Sequence, residues 1–513
     1  MSAWKAFWRS PRIPPLAAIA LLLICLAYFY RLDAAGVLGP DEPRYAAIGR
    51  EMARSGDWIT PRLWGRPWFE KPALLYWMIG AAFRLGLAPD LAPRLPVALC
   101  SVAFLALFWW TLRREFGRRT AWLAALILAT SAQWIGFSQV GVTDLPMAAA
   151  FTAAMLFALP WVARGETRGL AAAGALLGVA VLAKGLVPLA LCAPLVWPAW
   201  KHRASLPRAV PRLAVPLLAV GLPWYGLCYL RNGSPFLADL IVKQHFSRFA
   251  SEALQHQEPW WFYLPVLAGA LLPWTPLVFA AARRGAYRDP RRAFLLLVVL
   301  WGLLLFSASV NKLPGYLLPL LPACALLMAL GVEEAAQRGG RSDAAPAGPA
   351  QAGPGPPAAL SLLPLVALSA LLLVAFPIAG RMLPHVLLAG LSRTPFPPFH
   401  WIWLLPLPWA AVSCSLARRH RLAAVALIAA GAALGVLYLK TEVMPEVDRV
   451  ASARWVWRQV AAAADRTCVS AVSRSWRYGL NYYSVTPLPP CPAAGRTVQI
   501  LQVPGRPPTV ETR

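Results

Sequence analysis

The sequence predicts an all-α protein that crosses a membrane about thirteen times and ends in a small α/β domain. Of the 513 residues, 58% are hydrophobic and the mean hydropathy is +0.54, whereas a soluble domain is about 45–50% apolar. The apolar residues come in blocks of about 18 to 22, and each block is long enough to cross a hydrocarbon core of about 30 Å. Arginine clusters separate many of these blocks. Together these observations indicate a polytopic membrane protein.

The membrane-spanning helices are placed by block length and by the charges between the blocks. They are predicted at residues 14–31, 94–112, 120–138, 144–162, 169–183, 186–200, 210–229, 260–281, 293–310, 314–332, 359–380, 400–416 and 421–439. The pair at 169–200 is one long apolar run interrupted by Lys184. Because a charge at the middle of a bilayer is costly, we expect a hairpin with Lys184 near its outer turn.

The net charge of +27 indicates membrane topology and does not indicate nucleic-acid binding. Loops on the same side as the N-terminus are basic, as the positive-inside rule expects of cytoplasmic loops. These loops carry Arg113, Arg114, Arg118, Arg119, Arg164, Arg168, Lys201, Arg203, Arg208, Arg212, Arg283, Arg284, Arg288, Arg291, Arg292, Arg338, Arg341, Arg418, Arg419 and Arg421. With an odd number of spans, the C-terminus lies on the outer, periplasmic side.

The chain divides into a transmembrane domain at 1–440 and a small periplasmic domain at 441–513. Within the first domain, 33–93 is a long outer loop, and the Pro/Gly/Ala-rich stretch 333–357 is a flexible cytoplasmic linker. In the second, 467–473 and 497–503 alternate like strands. Cys468 and Cys491 lie in an oxidising compartment, where they form a disulfide or remain two unpaired thiols.

The first outer loop contains Asp-Glu directly after a membrane span. Transfer of a group from a phosphate needs a carboxylate near the reacting centre and cations around the phosphate. Asp41 is the candidate carboxylate, and the alternative is a helix N-cap for the stretch from Glu42 onward. Glu42 is expected to orient a partner such as Arg44. The apolar stretch 73–87 is expected to lie along the membrane interface.

Further polar residues fall at the outer ends of other spans. Each of them taken alone could be an interface anchor or a snorkelling cation. Their convergence on one membrane face instead predicts a site for a phosphate, because cations there stabilise charge on its oxygens. The residues are Asp144, Lys184, His245, Arg248 and Lys312.

Glu70 and His245 are candidate ligands of a divalent metal ion, either Zn or Mg/Mn. The sequence has no His-Glu-x-x-His motif, no Walker loop and no Gly-x-Gly-x-x-Gly fingerprint, and it predicts no cytoplasmic domain that could bind a nucleotide. We therefore expect no nucleotide cofactor, and we expect any sugar donor to be linked to a lipid.

Seven motifs in the first 316 residues resemble those of a known family. They are Asp-Glu-Pro-Arg-Tyr at 41–45, Ser-Gly-Asp-Trp at 55–58, Phe-Glu-Lys-Pro at 69–72, Thr-Asp at 143–144, Ala-Lys-Gly at 183–185, Gln-His-Phe-Ser-Arg-Phe at 244–249 and Lys-Leu-Pro-Gly-Tyr at 312–316. The set is similar to that of the bacterial aminoarabinose transferases that act on lipid A, within the protein-mannosyltransferase-like GT-C superfamily. The similarity runs from about residue 33 to 330.

The resemblance implies a GT-C fold with a periplasmic cavity lined by interfacial helices of the first loop. It implies an undecaprenyl-phosphate-linked sugar as donor, inversion at the anomeric carbon, and a lipid A or other glycolipid acceptor. It assigns catalysis to Asp41 with Asp144 as a second acidic residue, and it matches Glu70 and His245 to a metal site. The cations that would hold the donor phosphate are Arg44, Lys71, Lys184, Arg248 and Lys312.

The resemblance also implies a location in the bacterial inner membrane, with the active site and C-terminus in the periplasm. A lipid A phosphate is already ionised and needs no base, so Asp41 would then orient an amino sugar or stabilise positive charge; with a hydroxyl acceptor it would be a general base. Two alternatives remain open. One keeps the fold and transfers to a protein or polysaccharide, and the other is a polyprenyl-lipid transporter, which would have pseudo-symmetric halves.

Overall fold

The computed structural model describes residues 15–247, 258–282, 287–342, 362–493 and 495–512. Most of these residues are helical, and the remainder include a two-stranded hairpin and a three-stranded sheet. The chain is therefore an α-helical membrane protein with a small α/β domain at its C-terminal end, as the sequence predicts.

Seven helical stretches in the described ranges are long and apolar enough to cross a membrane, or eight if one bent pair is counted as a span. The seven are Leu95–Glu115, Asp144–Arg164, Arg203–Asn232, Pro290–Ala308, Pro314–Ala335, Leu362–Ala389 and Arg421–Ala451. The bent pair, Tyr263–Ala270 and Thr275–Ala281, turns by 111°. Helices at the other predicted spans are shorter or broken, so the number thirteen stays a prediction.

The shorter helices fill the remaining predicted positions. They are Pro15–Phe29, Arg118–Ala129, Ala132–Phe137, Leu170–Lys184, Val187–Leu191, Val196–Lys201 and Pro406–Arg419. Leu170–Lys184 ends at Gly185, whose φ of +76° suits glycine. Lys184 therefore lies at the turn of a hairpin, as the sequence predicts.

The helix Asp144–Arg164 separates the two ends of the bundle. Its 21 residues rise by about 30 Å, which matches a hydrocarbon core. At its C-terminal end, Arg164 pairs with Glu115 at 3.4 Å, and Arg291 contacts the same carboxylate at 3.6 Å. Loops that the charge pattern assigns to one side therefore meet in the structure, and Asp144 lies at the opposite end.

Small residues allow the membrane helices to approach closely. A Cβ at Gly174 would clash with the carbonyl oxygen of Leu213, and one at Gly178 would meet Val220 at 2.8 Å. Such small-residue contacts are typical of helix packing in membranes. They join the helix Leu170–Lys184 to the helix Leu206–Asn232.

The first outer loop folds into two helices, Asp41–Ser55 and Leu74–Arg84, joined by the hairpin of strands β1 (Arg62–Leu63) and β2 (Arg66–Pro67). The helices pack through Tyr45 and Tyr76, whose ring centroids lie 5.8 Å apart. They meet closely at Gly49, where a Cβ would lie 2.6 Å from the Ile79 side chain. The loop is thus a packed unit that can position side chains.

The C-terminal domain contains the helices Met444–Ala451, Ala453–Val460 and Arg474–Tyr483. Its sheet has the order β3 (Thr467–Val469), β4 (Val498–Leu501), β5 (Thr509–Thr512), parallel between the first pair and antiparallel between the second. Cys468 on β3 forms a disulfide with Cys491, with the Cα atoms 5.3 Å apart. The third strand was not predicted from the sequence.

The predicted start of the linker at residue 333 is wrong. The helix Leu321–Ser342 continues through the first part of that stretch, while residues 343–357 lie outside the described residues. The apolar run ends near residue 332, but the helix continues beyond it, and an ion pair between Glu334 and Arg292 holds its next turn.

Candidate active site

Arg44 is the centre of the polar cluster in the first outer loop. It lies in the first turn of the helix Asp41–Ser55, and only 4% of its side chain is exposed. Its guanidinium pairs with the carboxylates of both Asp41 and Glu70, and its Nε donates to the Pro40 carbonyl at 2.9 Å. Burial disfavours its charge, but the Glu70 and Asp41 carboxylates outweigh this and raise the pKa of Arg44.

The two carboxylates on Arg44 differ in accessibility. The side chain of Glu70 is 8% exposed, whereas that of Asp41 is 48% exposed. Glu70 also accepts from Trp68 Nε1 at 3.2 Å and lies 3.6 Å from Lys71 Nζ. Glu70 is therefore held among donors of this loop, and Asp41 is the carboxylate that a ligand can reach.

Asp41 does not cap its helix. The helix begins at Asp41 itself, the residue before it is Pro40, and no side-chain cap hydrogen bond forms there. Its carboxylate is instead oriented by Arg44, one turn along the helix. The N-cap alternative is thus excluded.

Glu42 forms a buried pair with Arg94 and does not orient Arg44 as the sequence suggested. Arg94 Nε and Nη2 donate to its two oxygens, both at 2.8 Å. The same carboxylate accepts backbone N–H groups from Leu38 and Gly141, each at 2.9 Å. The prediction was wrong because the nearest arginine in sequence lies on another face of the helix. Glu42 joins the first loop to the segment that precedes Asp144.

A second polar pair lies at the outer end of the bundle. Lys184 Nζ donates to Asp144 Oδ1 at 2.6 Å, and it lies 4.9 Å from the ring centroid of Tyr316. A Cβ at Gly315 would be only 2.7 Å from the Asp144 carboxylate, so glycine is required for this approach. Glu42 lies two residues before Arg44, and Gly141 lies three residues before Asp144. The hydrogen bond from the Gly141 N–H to Glu42 therefore joins the segments that carry the pair and the Arg44 cluster.

Lys312 and Tyr316 both lie in the connection between the helices Pro290–Ala308 and Leu321–Ser342. The amine of Lys312 is directed at a backbone carbonyl of this connection. Its Nζ donates to the Ser309 carbonyl at 2.7 Å, and only 7% of the residue is exposed. The hydroxyl of Tyr263 donates to the Leu313 carbonyl at 3.2 Å and holds this connection. Lys312 is therefore a buried cation of the connection between two helices, anchored to a backbone carbonyl.

The structure leaves two predicted site residues undescribed. Arg248 lies outside the described residues. The backbone of His245 belongs to the helical segment Ala238–Ser247, but its side chain is outside the described part. Just before this segment, Phe236 packs on Phe69 with ring centroids 5.2 Å apart. Because Phe69 precedes Glu70, this contact brings the start of the segment close to the Arg44 cluster.

The C-terminal domain contributes a residue that sequence reasoning missed. Tyr478 lies over the Arg44 guanidinium, with the ring centroid 5.1 Å from Cζ, and it stacks on Trp64 with centroids 5.8 Å apart. A cation over an aromatic ring is attracted by the ring's negative face. The helix Arg474–Tyr483 therefore covers the Arg44 cluster.

A polar network fixes the C-terminal domain on the turn before Asp41. Asp448 accepts from the Gly36 N–H at 2.7 Å, and Tyr483 Oη accepts from the Val37 N–H at 2.9 Å. Arg454 pairs with Asp448 at 2.9 Å and with Asp90 at 2.8 Å. The position of Asp41 thus depends on residues from both ends of the chain.

Comparisons with known proteins agree with the resemblance predicted from the motifs. Residues 70–225 match the model of the dolichyl-phosphate-mannose-protein mannosyltransferase family. The chain is 34% identical over 332 residues to an undecaprenyl phosphate-alpha-4-amino-4-deoxy-L-arabinose arabinosyl transferase of Edwardsiella ictaluri, covering 63% of this chain and 60% of that protein. A Sodalis glossinidius relative of the same description is 36% identical over 326 residues, covering 61% of this chain and 58% of that protein.

The fold is shared with solved structures of ArnT from Cupriavidus metallidurans. The form bound to undecaprenyl phosphate has a TM-score of 0.69 and 24% identity, and the match covers 92% of this chain and 85% of that one. The apo form has a TM-score of 0.68, with coverage of 95% and 86%. The sequence match spans only about three fifths of the curated relatives' length. These findings confirm the predicted resemblance and fold class.

Proposed function

We propose that this protein is an inverting glycosyltransferase that moves a sugar from undecaprenyl phosphate to a lipid A phosphate. The sugar is an amino sugar such as 4-amino-4-deoxy-L-arabinose. The relatives described above are named for the donor undecaprenyl phosphate-aminoarabinose, and one ArnT structure holds undecaprenyl phosphate. The observation that carries the proposal is the accessible Asp41 carboxylate on Arg44, which also pairs with Glu70, the partner of Lys71.

The cations of the site suit a phosphate leaving group. In the transfer, an acceptor oxygen forms a bond to the anomeric carbon, and the bond from that carbon to the undecaprenyl phosphate oxygen breaks. Negative charge then develops on the departing phosphate, and fixed cations stabilise it more than bulk water does. Lys71 is 14% exposed and Lys184 10%, so both lie where little water competes. Arg44, Arg248 and Lys312 complete the proposed phosphate-binding set.

Asp41 is proposed as the principal catalytic carboxylate, with Asp144 as the second. A lipid A phosphate is ionised at neutral pH and needs no base, so Asp41 then orients the amino group of the sugar or stabilises positive charge near the anomeric carbon. Its salt bridge with Arg44 directs the carboxylate. For a hydroxyl acceptor it would remove the proton.

A divalent metal at Glu70 and His245 stays a prediction. Of these two, the structure describes only the side chain of Glu70, which is engaged by Arg44 and Trp68 and lies near Lys71. Among the described residues, no group of three or more His, Cys, Asp or Glu side chains could hold a metal ion.

The proposed location is the bacterial inner membrane, with the site and the C-terminal domain in the periplasm. The basic loops at the opposite end of the bundle support this orientation. A cysteine introduced at the exposed Arg474 should react with a membrane-impermeant maleimide in cells with a permeable outer membrane, and one at Arg419 should not. The reverse pattern would overturn the orientation.

Lipid A from cells with and without the gene tests the acceptor. Mass spectrometry should find a mass increase of one amino sugar with the intact gene and none with Asp41→Ala. An unchanged spectrum under conditions of full expression would remove lipid A as the acceptor. A protein or polysaccharide that gains the sugar would then support the alternative acceptor on the same fold.

A further inference from the structure

An apolar groove of about 780 Å³ lies between three membrane helices, Pro15–Phe29, Leu95–Glu115 and Arg118–Ala129. All of its lining side chains are hydrophobic or aromatic. Cys25 and Ala106 are lining residues that are also exposed, so the groove opens towards the surrounding lipid. The aromatic lining residues are Trp109, Trp110, Trp122, Phe157 and Tyr28. None of these residues belongs to the candidate active site.

Tyr28 bridges two of the helices at the outer end of the groove. Its side chain is fully buried, and its hydroxyl donates to the Ala129 carbonyl at 3.0 Å. Tyr28 and Ala129 are the last lining residues of their helices in the outward direction. The groove therefore ends at this bridge, and it extends from there towards the end of the bundle that carries Glu115 and Arg164.

Arg113 continues the lining of the groove towards that opposite end. Val102, Ala106 and Trp109 line the groove at the spacing of one helix face. Arg113 is the next residue of this stripe, and its Cζ lies 5.2 Å from the ring centroid of Trp109. From Val102 to Arg113 the helix rises by about 16 Å. This length matches one leaflet, which is half of a hydrocarbon core of about 30 Å.

Arg119 occupies the corresponding position on the neighbouring helix. It lies three residues before the lining residue Trp122, so both are on one helix face. Trp122 packs on Trp109, with ring centroids 5.1 Å apart. Arg113 and Arg119 are each one turn from this contact and flank the turn at Gly117, so they lie side by side at the end of the groove.

The two arginines are not neutralised by the part of the chain that the structure describes. Both are exposed, and among the described residues no carboxylate lies within ion-pair distance of either. The positive-inside rule explains basic residues on this side of the membrane, but it does not explain their alignment with an apolar groove. The groove therefore ends in a positive site for an anion.

An apolar groove with a cationic end suits a lipid that carries a negative charge. An acyl chain matches a lining without charged side chains, and guanidinium groups bind a phosphate. Basic pockets between membrane helices on the cytoplasmic side are typical sites for anionic lipid head groups. A neutral hydrocarbon would make no use of Arg113 and Arg119, and a soluble anion would make no use of the groove.

We infer that this groove binds one anionic phospholipid, with an acyl chain between the three helices and the phosphate at Arg113 and Arg119. The inference takes only the leaflet, the cytoplasmic one, from the proposed orientation of the protein. The helix Pro15–Phe29 leads into the first outer loop. The lipid fills the space between this helix and its two neighbours and stabilises their packing.

Native mass spectrometry of the purified full-length protein tests the inference. With phosphatidylglycerol and phosphatidylcholine of equal chain length, wild-type protein should bind one phosphatidylglycerol about ten- to hundred-fold more tightly, because two arginines attract its net charge. The double variant Arg113→Gln/Arg119→Gln should remove this preference. Arg203→Gln/Arg208→Gln is the matched control, since these exposed arginines of the same membrane side do not line the groove, and it should keep the preference.

Ala106→Trp tests the apolar part of the site. Ala106 is exposed and lines the groove, so a large side chain there fills the space that the acyl chain would occupy. This variant should bind phosphatidylglycerol at least about ten-fold more weakly than wild type. Ala103→Trp is its control, because Ala103 is exposed on the same helix and does not line the groove. Thermal unfolding of both variants shows that they are folded.

Several results would overturn the inference. They are equal affinity of wild type for the two phospholipids, a preference that survives Arg113→Gln/Arg119→Gln, and unchanged binding of phosphatidylglycerol by Ala106→Trp. Displacement of phosphatidylglycerol by an equal concentration of undecaprenyl phosphate would assign the groove to the polyprenyl lipid instead. A dimer that Ala106→Trp dissociates would assign it to a second copy of the chain. Because these measurements require no sugar transfer, failure of the proposed function and failure of the inference are separate results.

Discussion

The guanidinium of Arg44 lies 5.1 Å from the ring centroid of Tyr478, so the C-terminal domain covers the polar cluster of the first outer loop. Tyr478 also stacks on Trp64 of that loop. The two regions are far apart in sequence, yet the orientation of Asp41 depends on their contact, because Arg44 holds Asp41. The C-terminal domain is therefore part of the candidate active site.

Replacing Tyr478 by alanine should reduce transfer without unfolding the protein. A cation–π contact contributes about 0.5–2 kcal/mol, which corresponds to about a two- to thirty-fold loss in kcat/KM. Tyr478→Phe should keep most of the activity, because the ring makes the contact with Arg44 and Trp64. An equal loss in both variants would show that the hydroxyl, and not the ring, is what matters.

The buried pair of Arg94 and Glu42 should be essential for stability. Arg94 also donates to the carbonyls of Leu32 and Gly36, each at 2.8 Å, so its removal leaves several buried acceptors without a partner. Arg94→Met should lower the free energy of unfolding by about 3–5 kcal/mol. Thermal unfolding of the purified protein measures this, with Arg458→Met at an exposed position as control. A melting temperature equal to that of the control would contradict the structural role.

The Asp144–Lys184 pair should act as a unit in catalysis. Asp144→Asn and Lys184→Met should each lower kcat/KM, and the double variant should lose less than the sum of the two effects. The expected coupling is about 0.5–3 kcal/mol for residues in contact. Transfer rates of the four proteins give this value. Strictly additive effects would show that the two residues act separately, despite their 2.6 Å hydrogen bond.

The proposed metal site predicts that the purified protein contains a divalent metal ion. If Glu70 and His245 hold a divalent ion, one ion per chain should copurify with the protein, and Glu70→Gln and His245→Ala should each remove it. Elemental analysis of the purified variants measures this. His400→Ala is a control, since His400 lies in another part of the chain and its Nδ1 accepts from the backbone N–H of Ile402. Metal-free protein with full transfer activity would exclude a catalytic metal.

Much of the site could be predicted from the sequence because membrane topology constrains it strongly. Once the spans and basic loops are placed, Asp41, Lys71, Asp144 and Lys184 must lie at one end of the bundle. The structure brings Asp144 and Lys184 into contact, and it places Lys71 next to Glu70. These features follow from span length and loop charge, which one sequence displays directly.

The partners of buried charges could not be predicted in the same way. Glu42 has Arg44 two residues away, yet it pairs with Arg94 at a separation of 52 residues. Many arginines could have been that partner, and only helix packing decides among them. Tyr478 was missed for the same reason, because nothing in its local sequence indicates which part of the first loop it contacts. Side-chain partners over long separations depend on the fold and not on local pattern.

Asp41 is proposed as the catalytic carboxylate of a sugar transfer from undecaprenyl phosphate. The most direct test is a transfer assay with purified protein, undecaprenyl phosphate-linked aminoarabinose and lipid A, comparing wild type with Asp41→Asn. Asp465→Asn, at an exposed carboxylate of the C-terminal domain, is the control. Wild type and the control should transfer the sugar, and the rate of Asp41→Asn should be about 10²- to 10⁴-fold lower. Full transfer by Asp41→Asn would contradict it.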